Sequence, residues 1–241
     1  LGSTHPEVHA RMAAPTIIWD FDGTLAYRPG KWGSALVQAL QDAPCGGEVD
    51  IERLRPHLKT GFPWHHPERP HPELRDPAAW WRQVEGVLAR ALAASGYDPA
   101  GAGQIARLAG QHFRDPASFI MFPDTIPALR RLSADGWRHI ILSNHVPELE
   151  EIVCALHLAD HFDAILSSAN TGYEKPNPEA FAIALSRAGH PECVWMVGDN
   201  PVSDVLGAEA VGIPGILVRT EAEGVARSAA DMTHVVRIVS A

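Results

Sequence analysis

From residue 120 onward the chain alternates two patterns. Short continuous apolar runs lie in "WRHIILSN", "FDAILSS", "CVWMVGD" and "PGILVRT", and between them apolar residues recur at helical spacing. Runs of the first kind read as strands covered on both faces. "DTIPALRRLSADG" carries Ile126, Leu129 and Leu132 on one stripe, with Asp124 or Thr125 placed as N-cap and Gly136 just past the end. "VPELEEIVCALHL", with Pro147 in its first turn, "PEAFAIALSRAG" and "SDVLGAEAVG" read as further helices. One earlier run, "TIIWD" at 16–20, has the strand signature. Residues 29–119 show only helical periodicity, in "SALVQALQ", in "AAWWRQVEGVLARALAASG" (Trp81, Val84, Val87, Leu88 and Leu92, with Gly96 as a stop) and in "AGQIARLAGQHF". A proline- and histidine-rich loop spans 60–77.

Alternation of strand and helix predicts an α/β fold: a Rossmann-like parallel sheet with helices on both faces. The core takes 13–28 and 120–241. An all-helical cap, 29–119, is inserted after the first strand, at the sheet edge where open α/β folds bind ligands, so it is placed to act as a lid. Residues 1–12 read as an expression scar or a disordered segment outside the fold.

Composition narrows the function. Hydrophobic residues make up 46% of the 241 and charged residues 20%, ordinary for a globular chain. A net charge of −9 argues against a nucleic-acid backbone as partner. No apolar run approaches the ~20 residues that span a bilayer, and no secretory signal pattern is seen, so a cytoplasmic protein is expected. Cys45, Cys154 and Cys193 form no C-x-x-C and read as three buried apolar thiols in a reducing compartment.

Three strands end in polar residues at the ligand edge. "TIIW" runs into Asp20 and Asp22, "HIIL" into Ser143 and Asn144, and "CVWMV" into Gly198 and Asp199, with Asp204 a turn further on. Lys175 precedes a helix opened by proline. It is one of three lysines, with Lys31 and Lys59, against seventeen arginines, which suggests that a compact ammonium is wanted there. Asp20, Asp22 and Asp199 converging would concentrate negative charge, which a hard divalent cation such as Mg²⁺ resolves through oxygen ligands. Lys175 offers a point charge to a phosphate oxygen or to a carboxylate. Ser143 Oγ and free backbone N–H groups after Asp20 offer donors to an oxyanion, and Gly23 lets the backbone come close. The set suits phosphoryl transfer, a reaction that depends on positioning and charge stabilisation.

"DFDGT", "SN", "K-P" and "GD-x4-D", in this order at strand ends, resemble the four motifs of the haloacid dehalogenase-like (HAD) hydrolase superfamily. The resemblance covers 15–28 and 120–220, and a helical insert after the first motif resembles the family's C1 cap. It implies Asp20 as a nucleophile that forms an aspartyl-phosphate, and Asp22 as general acid and then base. It implies Ser143 and Lys175 as phosphoryl ligands, with Asn144 and Thr24 as supporting phosphate-site residues. Mg²⁺ would be held by Asp20, the Asp22 backbone carbonyl and Asp199, with Asp204 acting through water or as the partner of Lys175. Because Asp22 is present, the chain resembles the phosphatase branch and not the founding dehalogenases. The expected substrate is a small phosphorylated metabolite, and the expected protein a monomer or homodimer. A phosphomutase on the same scaffold, or a silent Mg²⁺ and phospho-ligand binder, would carry the same core residues.

The remaining polar and aromatic signals are weaker. His65, His66 and His71 lack helical-pair spacing and read as a surface or substrate-facing loop, not a zinc site. Trp64, Trp80 and Trp81 read as packing of the insert, with room for one to line the pocket. Arg28 and Lys31 read as a solvated hinge or as contacts to a second anionic group of the substrate. His145 lies near the site with no assigned role.

Overall fold

The computed structural model describes residues 14–44 and 51–241. Residues 1–12 and Cys45 lie outside the described residues. Six parallel strands form one sheet: β1 (Thr16–Trp19), β4 (Arg138–Ser143), β5 (Ala164–Ser167), β6 (Val194–Gly198), β7 (Gly215–Val218) and β8 (Ser228–Ala229). Their order is β5-β4-β1-β6-β7-β8. The chain builds outward on one side of β1 through β4 and β5, then returns to the other side with β6. The point of reversal beside β1 opens a crevice at the strands' C-terminal ends.

Side-chain alternation explains why these runs are apolar throughout. Ile17, Trp19, Ile141 and Val197 join one apolar cluster, while Ile18, Ile140, Leu142 and Met196 join the other. Both faces of the central strands are therefore covered, by α5 (Thr125–Ala134), α6 (Leu149–Ala155) and α10 (Met232–Val239) and by α8 (Pro178–Ala188) and α9 (Gly207–Glu209), while α7 (Ser168–Thr171) adds Ala169 to the first cluster. Among the described residues, no helix is long and apolar enough to cross a membrane.

Two two-residue strands, β2 (Ala26–Tyr27) and β3 (Ile120–Met121), pair antiparallel. They bring the two ends of the insert together as a ribbon beside the crevice. Beyond the ribbon stand α1 (Lys31–Asp42), α2 (Ile51–Leu54), α3 (Pro77–Ala94) and α4 (Pro99–Arg114), together with several 3₁₀ turns. Asp76 and Asp98 cap α3 and α4 through side-chain oxygens, each followed by proline at the first helical position.

Several local expectations are corrected. Pro147 precedes α6, whose cap is Glu148. The Asp124 carboxylate makes no cap bond to α5, because it accepts hydrogen bonds from the Arg219 guanidinium and the Met232 backbone N–H. The segment after β6 opens as a wide π-helical turn, Pro201–Leu206, before α9. Cys154 and Cys193 are exposed, not buried.

Candidate active site

Strand register brings the polar ends together. Trp19 of β1 lies level with Ile141 of β4 and Val197 of β6. The Asp20 N–H continues the ladder to the Val197 carbonyl at 2.9 Å. Ser143 and Asp199 follow one step further along the neighbouring strands, so all three side chains emerge into one crevice.

The centre is a buried charge network. Asp20 Oδ1 accepts from Ser143 Oγ at 2.8 Å and from Lys175 Nζ at 2.8 Å. Lys175 Nζ also lies 2.7 Å from Asp204 Oδ1. Burial disfavours the ammonium, but the two carboxylates outweigh that and raise its pKa, so Lys175 is held protonated. Asp204 is anchored in turn: its Oδ2 accepts from the Asn200 N–H at 2.9 Å. Asn200 meanwhile caps the π-turn, with Oδ1 accepting from the Val202 and Ser203 N–H groups.

Asp22 and Asp199 flank this network. Burial raises the Asp22 pKa; Lys31, 3.7 Å away, opposes the shift, and the Asp20 charge adds to it. Burial, and then the charges of Asp20 and Asp204, push Asp199 up to about 7. The Asp199 carboxylate packs against Gly23, whose φ is +92°; a Cβ there would lie 2.2 Å from Asp199 Oδ2. Only glycine satisfies both the left-handed backbone and this approach.

The donor set fits a hard divalent cation. Asp20, Asp199 and Asp204 offer oxygens that all lie within 4.8 Å of one another. Four carboxylates face two ammonium groups, Lys175 and Lys31, so full ionisation leaves an excess that one divalent ion neutralises. The raised pKa of Asp199 expresses the same excess. Oxygen ligands of this kind suit Mg²⁺ better than softer metals.

Asn144 lines the crevice and Thr24 lies behind it. Asn144 spends its amide on the lysine segment: Nδ2 donates to the Lys175 carbonyl at 2.8 Å, and Oδ1 accepts from the Lys175 N–H at 2.7 Å. It thus positions Lys175. Thr24 is fully buried and its hydroxyl has no partner; its carbonyl accepts from Arg219 Nε at 3.1 Å. It is absent from the lining of the crevice.

The crevice is a cavity of about 460 Å³ between sheet edge and insert. Asp20, Asp22, Ser143, Lys175, Asp199 and Asp204 line one part of it. Trp32, Trp64, Trp80 and Phe113 of the insert line another, with His145. Burial lowers the His145 pKa to about 4, against the charge of Asp20, so the imidazole is neutral. Arg28 is a buried clamp: its guanidinium bonds Ser34 Oγ, Gln38 Oε1 and the His112 carbonyl. Trp81 turns away from the cavity and donates to Glu148 at 2.9 Å. Trp32 and Phe113 carried no sequence signal, because each reaches the site through packing and belongs to no motif.

Comparison with known proteins agrees with the geometry. A family model described as haloacid dehalogenase-like hydrolase matches residues 14–212. The phosphoserine phosphatase of Thermus thermophilus is 35% identical over 150 residues, which cover 61% of this chain and 59% of that protein. The haloacid dehalogenase-like hydrolase domain-containing protein 3 of Danio rerio is 32% identical, with 86% of each chain covered. Among solved structures, the magnesium-bound HAD hydrolase YfnB of Bacillus subtilis superposes with a TM-score of 0.73 at 16% identity, over 95% of this chain and 99% of that one. A 2-haloacid dehalogenase from Pseudomonas syringae superposes with a TM-score of 0.67 at 25% identity, over 94% and 98%. The chain belongs to the haloacid dehalogenase-like hydrolase family.

Proposed function

We propose that the chain is a Mg²⁺-dependent phosphoric monoester hydrolase that acts on a small phosphorylated substrate through an aspartyl-phosphate on Asp20. The observation that carries this reading is the Asp20 carboxylate held through one oxygen by Ser143 and Lys175, with protonatable Asp22 beside it. In the first step an Asp20 oxygen attacks phosphorus and the ester C–O–P bond breaks at phosphorus. Asp22, its pKa raised by burial, gives its proton to the leaving alkoxide. In the second step Asp22 takes a proton from water, which attacks the same phosphorus and releases Asp20. Ser143 and Lys175 hold donors next to the attacking carboxylate and pass them to phosphoryl oxygens as charge builds there. Mg²⁺ would be held by Asp20 and Asp199, with Asp204 close behind, and would neutralise charge on the phosphoryl oxygens.

Relatives support the reading: one is named phosphoserine phosphatase, and another, from Cereibacter sphaeroides, phosphoglycolate phosphatase. Asp22 favours ester hydrolysis over halide displacement, which needs no acid for the leaving group. Core 13–28 plus 120–241 and lid 29–119 are the units we assign to chemistry and to specificity. The test is Asp22→Asn. With p-nitrophenyl phosphate, whose leaving group needs no proton, and Mg²⁺, the variant should turn over slowly and accumulate a phosphorylated chain whose intact mass is one phosphoryl group higher. Turnover at the wild-type rate would remove Asp22 as acid and base.

A further inference from the structure

Four parts of the insert each send one aromatic ring to the same cavity: Trp32 from α1, Trp64 from the 3₁₀ turn Pro63–His65, Trp80 from α3 and Phe113 from α4. The rings brace one another. Trp32 stacks on Phe113 with centroids 3.9 Å apart and planes 10° apart, and Phe62 backs Trp64 at 4.5 Å and 9°. Trp32 and Trp64 lie 6.2 Å apart at 19°. The surface that the insert offers is therefore preassembled, aromatic and largely uncharged.

Charge is scarce on that surface. Among the described residues of the insert, Lys31 alone brings a cation into the lining, and its ammonium faces Asp22. Nearby arginines are engaged elsewhere: Arg28 in its hinge clamp, Arg114 on Glu148, and Arg75 on the Asn170 carbonyl. A leaving group with its own carboxylate would find Lys31 as the single cation that the insert's described residues bring to the lining, shared with Asp22, and would otherwise be desolvated against rings, which is unfavourable.

Hydrogen-bonding capacity remains. Trp80 Nε1 and both ring nitrogens of His145 are buried without a partner, in two residues that line the cavity and are 2% and 6% exposed. His145 sits among rings, edge-on to Phe21 at 5.4 Å and 89°. Orphaned buried polar atoms of this kind are costly unless a ligand supplies the missing partner.

We propose that the substrate is a phosphate monoester of an uncharged aromatic alcohol bearing a hydroxyl or ring nitrogen. The insert's rings would hold its ring, and Trp80 and His145 its polar substituent. This rests on the ester-hydrolase reading of the same site, with the phosphate at Ser143 and Lys175. Aromatic contacts stabilise beyond area burial, so the rings discriminate against small charged esters.

The test is binding of non-hydrolysable phosphonates to the full chain with Mg²⁺, by calorimetry and tryptophan fluorescence. Benzylphosphonate is expected to bind at least tenfold more tightly than phosphonoacetate and to quench fluorescence. At least one hydroxybenzylphosphonate isomer should bind more tightly still, and His145→Phe combined with Trp80→Phe, which keeps both rings, should erase that extra gain. Equal or tighter binding of phosphonoacetate overturns the proposal, as does the lack of a gain with every isomer or a gain that survives the double substitution. Binding needs no turnover. A chain that prefers the aromatic phosphonates yet hydrolyses no ester would support the ligand class and overturn the reaction assigned above.

Discussion

Gly23 shows how one position couples backbone to chemistry. Its φ of +92° is costly for any L side chain, and its Cα backs the Asp199 carboxylate. Gly23→Ala is expected to weaken Mg²⁺ binding and to lower activity at least tenfold. Gly136→Ala supplies the control, since Gly136 has φ +91° with nothing within 4 Å of a new Cβ. If both variants lose activity equally in a Mg²⁺ titration, backbone strain alone is responsible and the Asp199 contact is not. His139 makes a different statement. Its Nδ1 accepts from Trp19 Nε1 at 3.1 Å, and an indole N–H can only donate, so the ring proton sits on Nε2, 3.1 Å from Ser133 Oγ. Burial lowers its pKa to about 4. The unfolded chain then binds a proton below its ordinary pKa of about 6.5 while the folded chain does not. Stability should fall as pH drops from about 6.5 to about 4, by roughly 1.4 kcal/mol per unit from this residue. Urea unfolding of wild type and His139→Gln should show a shallower acid limb in the variant; identical limbs would contradict the assignment. At this scale Asp20, Asp22, Ser143 and Asp199 were legible as candidates because each follows a strand end, and Lys175 because it is a rare lysine before a helix opened by proline. The roles of Asn144 and Thr24 were not, because a backbone-to-amide contact across about thirty residues leaves no mark on spacing.

Elements carry the relation between lid and core. Glu148, the cap residue of α6, accepts from Trp81 Nε1 and from Arg114, whose guanidinium also lies 5.0 Å from the Trp81 ring. The loop before α3 adds the His71 N–H to the Gly172 carbonyl at 2.7 Å. These contacts tie α3 and α4 to the core side of the crevice. Glu148→Ala leaves the indole N–H without its acceptor and should loosen that docking by about 1–2 kcal/mol. Hydrogen exchange in α3 and α4 should accelerate while β1 and β6 stay protected. Unchanged exchange in both helices would show that apolar packing alone holds the lid. The main strands and most helices were readable, since doubly covered strands are unbroken apolar runs and the helices keep their stripes. The β2–β3 ribbon and β8 were not, because two residues carry no period. The π-turn after β6 was hidden for another reason: its shape follows from Asn200 capping and Asp204 reaching Lys175, both tertiary contacts.

At the scale of the whole molecule, a parallel sheet gathers four carboxylates and a buried lysine at one edge, and a helical insert covers them with aromatic rings. The sheet edge supplies charge and the insert supplies shape, and under the proposed function this divides reaction from selectivity. An excess of negative charge at the edge is the feature the account depends on, because it calls for a cation, and that cation together with Lys175 can then receive an anionic phosphoryl group. The most direct measurement is phosphate release from p-nitrophenyl phosphate with Mg²⁺, with EDTA, and by Asp20→Asn. Release that requires Mg²⁺, stops with EDTA, resumes on adding the metal back, and falls at least about a thousandfold in a folded Asp20→Asn variant is the predicted result. Release that persists in EDTA, or in Asp20→Asn at rates near wild type, would contradict the account.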